Sequence, residues 1–119
     1  MANDIQIDND TDTIIQNRED LEEPSMYKVI LHNDDYTPME FVVEVLIKIF
    51  HKTQGIAEQI MMSVHQNGAA VCGLYTYEIA ETKVDQVHRV SEQHNYPLRS
   101  SLEKNWGNNH VKKRFRNSL

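Results

Sequence analysis

Met26-Tyr27-Lys28-Val29-Ile30-Leu31-His32 runs directly into Asn33-Asp34-Asp35-Tyr36-Thr37-Pro38-Met39-Glu40-Phe41, and the period of apolar residues changes across the join. The first seven residues alternate and are rich in β-branched and aromatic side chains, which reads as a strand. Beyond them Met39, Val42, Val43, Leu46, Ile49 and Phe50 recur at helical spacing, which reads as an amphipathic helix from about Pro38 to His51. The residues between form a strand-to-helix turn. Thr37 is expected to cap the helix, Pro38 to take its first position and Glu40 to complete a Thr-x-x-Glu capping box. Asp34 and Asp35 exceed what one helix N-terminus requires. They read either as an Asx-type turn or as a cation site for an ammonium or a metal, and local sequence leaves both open.

Lys48 and Lys52 suit the C-terminal end of that helix. Thr53 is placed to cap a second helix over about Gln54 to Gln66. There Ile56, Ile60 and Val64 form one stripe, and Ala57, Met61 and His65 a neighbouring one. Asn67-Gly68 is a strong stop. The apolar run Ala69 to Tyr75 is short enough for a buried strand. Thr76 is placed to cap a third helix, with Ala80, Val84 and Val87 inward and Glu78, Glu81, Lys83, Asp85 and Arg89 solvated. Asn95-Tyr96-Pro97 ends it, and Leu98 to Glu103 is a last strand with Leu98 and Leu102 on one face. The expectation is a small α+β domain of order β-α-α-β-α-β: a three-stranded antiparallel sheet packed by three helices on one face.

The 119 residues suit one such domain with tails. Residues 1–24 carry eight acidic side chains against Arg18 alone, a net of −7, and read as a disordered acidic arm. Residues 25–104 form the domain and are mildly acidic. Residues 105–119 carry Lys112, Lys113, Arg114 and Arg116 with no acid, and read as a flexible basic tail with Trp106 and Phe115 interleaved. Such a tail can touch nucleic acid, but the acidic domain offers no basic face to accompany it, so no nucleic-acid partner is expected. No apolar run reaches the ~18 residues needed to span a bilayer, so no membrane association is expected. The single Cys72 lies in an apolar stretch without a neighbouring base. It reads as core in a reducing, cytoplasmic setting.

These strings strongly resemble the ClpS family, bacterial adaptors of the N-end rule. The resemblance runs through Tyr27 to Leu31, Asn33 to Val42, Val64-His65-Gln66-Asn67-Gly68, Cys72-Gly73, Ala80-Glu81-Thr82-Lys83-Val84, Pro97-Leu98 and Leu102-Glu103-Lys104. It implies a non-enzymatic adaptor that needs no cofactor or metal. Such an adaptor binds substrates by an N-terminal Phe, Tyr, Trp or Leu and delivers them to the N-terminal domain of ClpA or a related Clp ATPase, for ClpP to degrade. Carried over by position, Asn33, Asp34 and His65 would contact the free α-amino group, and Asp35 would support their loop. Thr37, Met39, Val42, Met61 and Leu98 would line the side-chain pocket. Glu78 and Lys83 would meet the unfoldase. A monomer is the expected state, and the family's leader serves delivery rather than substrate binding. His32 departs from the apolar residue more usual before the motif, and the basic tail runs past the usual family ending.

The chemistry of the matched residues agrees with that role. An α-ammonium offers three N–H donors and needs convergent acceptors, of which a carboxylate makes the strongest bond. His65 serves only with a neutral accepting nitrogen. Met39 and Met61 are adaptable enough for aromatic rings or Leu. Ile and Val are expected to be rejected, because they need width close to the backbone. Taken singly, Met39, Met61, Val42 and Leu98 read as core, His65 as a helix-end charge, and Glu78 and Lys83 as solvated helix residues. One rival is a docking module without a residue pocket, similar to the C-terminal domain of the ribosomal stalk protein. Such a module has no need of Asn33, Asp34 and His65 together. A second rival, a metal-dependent hydrolase on Asp34, Asp35 and His65, lacks further ligands at fixed spacing, since His51, His88 and His94 fall outside any such pattern.

Overall fold

The computed structural model describes residues 24–106. The alternation in the first strand becomes a buried and an open face. In β1 (Met26–His32), Val29 and Leu31 are fully covered, while Lys28, Ile30 and His32 alternate to the other side. β1 is the central strand, flanked by β2 (Ala69–Thr76) and β3 (Arg99–Lys104), and both pairings are antiparallel. A bulge opposite Val29 and Ile30 admits Cys72 as the extra residue of β2. On the open face Lys28 lies 3.8 Å from Glu103, and His32 Nε2 is 2.7 Å from Ser101 Oγ.

Three helices, α1 (Met39–Lys48), α2 (Gln54–Asn67) and α3 (Tyr77–Gln93), cover the buried face, giving the expected β-α-α-β-α-β order. α1 contributes Phe41, Val45 and Leu46 to the core, α2 contributes Ala57 and Val64, and α3 contributes Ala80 and Val87. Of the α2 stripe, Ile56 stays exposed.

Helix ends carry the differences from the sequence reading. Thr53 Oγ1 accepts from Ile56 N–H, and Gly68 closes α2 at φ 90°. α3 ends in a Schellman motif: Asn95 is left-handed at φ 62°, its N–H donates to Glu92 O, and Tyr96 N–H donates to Ser91 O. Thr76 stands at the start of α3 without a side-chain capping bond. α1 stops at Lys48 rather than His51, because His51 turns left-handed at φ 58° and Lys52 N–H closes onto Leu46 O. The expected capping box is absent: α1 has no side-chain cap, and the Thr37 hydroxyl is a donor to Asp34 instead. Lys83 is not simply solvated, since its ammonium donates to Ile49 O at 2.6 Å and anchors the end of α1 to α3. β3 starts at Arg99, with Leu98 buried just before it.

The acidic arm and basic tail read over 1–24 and 105–119 lie outside the described residues, apart from positions 24, 105 and 106. Among the described residues no helix is long and apolar enough to cross a membrane.

Candidate functional site

The strand register assembles the site. His32 pairs with Ala69, so the residue after β1 lands beside the residue before β2. There Asn33 N–H donates to Gly68 O at 2.9 Å. Gly68 is the left-handed cap of α2, and His65 lies in that helix's last turn. One backbone bond therefore clasps the Asn33–Thr37 loop to the end of the helix that carries His65. Asn33 and His65 are both solvent-exposed, as is Asp35.

Asp34 organises the loop. Its Oδ1 accepts from Tyr36 N–H and Thr37 N–H, each at 2.7 Å, and its Oδ2 accepts from the Thr37 hydroxyl at 2.8 Å. The bond to Tyr36 is an Asx-turn. Partial burial pushes the Asp34 carboxyl upward, but the bonds from Thr37 and Tyr36 outweigh it and hold the group below its ordinary value. About three of its roughly four acceptor positions are used within the loop, leaving Oδ2 one lone pair and the group its full negative charge.

Met39 and Met61 meet on a cleft of about 540 Å³ between α1 and α2, with Val43 and Met62 beside them and Glu40, Gln54 and Glu58 at the rim. Met39 is 42% exposed. Val42 and Leu98 do not line this cleft; both lie in the core cluster beneath, at 6% and 3% exposure. Thr37 is half-buried and tied to Asp34. Glu78 stands exposed in the first turn of α3, five residues before Lys83. Val43 is legible in the sequence only as part of the apolar stripe of α1, and Glu58 and Met62 are not singled out there at all. Their available signals were the i,i+4 pairs Met39–Val43 and Glu58–Met62, which any amphipathic helix also shows. Among the described residues no three His, Cys, Asp or Glu side chains are grouped to hold a metal ion.

A family model described as "ATP-dependent Clp protease adaptor protein ClpS" matches residues 22–101. The chain belongs to the ClpS family. It is 60% identical over 82 residues to the ClpS adapter of Desulfotalea psychrophila, covering 69% of this chain and 80% of that protein. The ClpS adapter of Parvibaculum lavamentivorans is 52% identical over 94 residues, covering 79% of this chain and 86% of that protein. A solved structure of Agrobacterium tumefaciens ClpS2 bound to L-phenylalaninamide matches with a TM-score of 0.68 at 37% identity, over 70% of this chain and 100% of that one. As a ClpS protein the chain is an adaptor of the Clp protease, and its three helices on a three-stranded antiparallel sheet are the ClpS fold.

Proposed function

We propose that this adaptor captures proteins by a free N-terminal Phe, Tyr, Trp or Leu and hands them to a ClpA-type AAA+ unfoldase for degradation by ClpP. The observation that carries the reading is the Asn33 N–H to Gly68 O bond, which holds the acidic loop against the α2 end bearing His65. In that arrangement Asn33, the free Oδ2 position of Asp34 and a ring nitrogen of His65 supply the acceptors that an α-ammonium requires. Asp35 supports the loop. Thr37, Met39, Val42, Met61 and Leu98 enclose the first side chain, with the two methionines adjusting to flat rings or Leu. L-phenylalaninamide, the ligand of the Agrobacterium relative, keeps a free α-amino group beside an aromatic ring, the chemistry proposed here.

Glu78 and Lys83 form part of the face that meets the unfoldase. The adaptor catalyses nothing itself, uses no cofactor, and works as a cytoplasmic monomer. The test compares peptides with a free and an acetylated N-terminal Phe by fluorescence anisotropy. Acetylation removes the charge and two donors, so its affinity is expected to fall at least about a hundredfold, the scale of losing charged hydrogen bonds. Equal affinity of the two peptides overturns the reading.

A further inference from the structure

We propose that the cleft between α1 and α2 is a second substrate subsite, one that takes a long basic side chain at the third residue of a captured protein. The inference rests on the first-residue reading above and extends it along the substrate chain. Its floor is apolar and adaptable, made by Met39, Val43, Met61 and Met62. Its rim carries the carboxylates of Glu40 and Glu58, and among the described residues no Lys, Arg or His lines it. Gln54 Nε2 donates to Glu58 Oε2 at 2.7 Å, which orients that carboxylate without cancelling its charge.

Two features of the cleft fix the occupant. The first is continuity: Met39 and Met61 line this cleft and are the same side chains proposed to wall the first-residue pocket. In an extended chain residues one and three face the same way, about 6.6–6.8 Å apart, so the third side chain enters the space next to the first. The second is complementarity. A Lys or Arg side chain lays its aliphatic stem along methionine and keeps its charged head in water beside the rim. A hydrophobic third residue would use the floor and gain nothing from Glu40 and Glu58, whereas an acidic one would be repelled.

The experiment titrates the full chain with labelled Phe-Ala-X peptides, where X is Lys, Ala or Glu, by anisotropy at low salt. Lys is expected to bind about fivefold tighter than Ala, the scale of partly exposed ion pairs, and Glu weaker than Ala. The spread is expected to collapse in the Glu40→Gln/Glu58→Gln double variant, and Glu58→Lys is expected to invert the order. Equal binding of the three peptides, or a spread that survives in the double variant, overturns the subsite. The two readings fail differently. If the Phe-Ala-Ala peptide binds no better than its acetylated form, the first-residue reading falls and the subsite with it. If acetylation matters and X does not, only the subsite falls.

Discussion

Asp34→Asn is expected to loosen the turn before it disturbs the strand or helix on either side. The amide oxygen can still accept from the Tyr36 and Thr37 N–H groups, but its nitrogen cannot accept the Thr37 hydroxyl. Charge-assisted bonds become neutral ones, at an expected cost of about 1–2 kcal/mol. The pH dependence has a definite sign, because the folded carboxyl is held below its ordinary value. Its stabilisation is fully present above the unfolded value of about 3.9 and is lost as pH falls through the lower folded value. Urea melts from pH 7 down to about 2.5 should therefore show the gap between wild type and Asp34→Asn closing only in acid. A gap constant across that range contradicts the assignment. Cys72 gives a second residue-scale expectation. Burial pushes its thiol up to about 12. It should stay protonated and alkylate on the order of a thousandfold more slowly in the folded protein than in the unfolded chain at pH 8. Similar rates in both states would place Cys72 outside the core.

At the scale of elements, β2, α1 and α3 meet over one tyrosine. The Tyr75 ring folds across Gly73 so closely that a Cβ there would come within 2.7 Å of the tyrosine oxygen. Lys83 Nζ stands 5.8 Å from the centre of that ring while donating to Ile49 O. Gly73→Ala is therefore expected to displace Tyr75 and cost about 1–3 kcal/mol. Gly55→Ala, near the start of α2, meets nothing within 4 Å among the described residues and should stabilise by about 0.5 kcal/mol. Thermal melts distinguish the two by sign, at about 4–8 °C per kcal/mol for a domain of this size. Matching signs would contradict the packing described.

The same elements show what the sequence could reveal. α2 was legible to within a residue because Thr53 and Asn67-Gly68 mark its ends chemically. The end of α1 is hidden in the sequence because its apolar period continues past it: Phe50 is buried from the turn, and the left-handed residue that breaks the helix is His51, where no glycine announces it. The role of Thr37 is not legible locally, because a threonine beside an aspartate can cap a helix or donate to the carboxylate, and only the folded turn chooses. The partner of Lys83 lies 34 positions away, so nothing local pointed to it. The Glu58–Met62 side of the cleft depends on how α1 and α2 cross, which no periodicity encodes.

At the scale of the whole molecule, recognition and delivery should separate. The loop, the α2 end and the cleft all lie within the described residues, whereas the acidic stretch 1–24 lies almost wholly outside them. Removing residues 1–24 is expected to leave peptide affinity within about twofold while delivery to a ClpA-type unfoldase is lost, as read by degradation of a Phe-initiated reporter with the unfoldase and ClpP. Loss of peptide affinity on that truncation would move part of the recognition site into the arm. Whether the chain reads N-terminal residues is decided by an anisotropy titration with four labelled peptides differing only at residue one: Phe, Leu, Ile and Lys. Phe and Leu are expected to bind, and Ile and Lys to be weaker by at least about tenfold. Comparable binding of all four, or of none, would contradict that reading and reduce the Asn33–Thr37 loop to a structural turn.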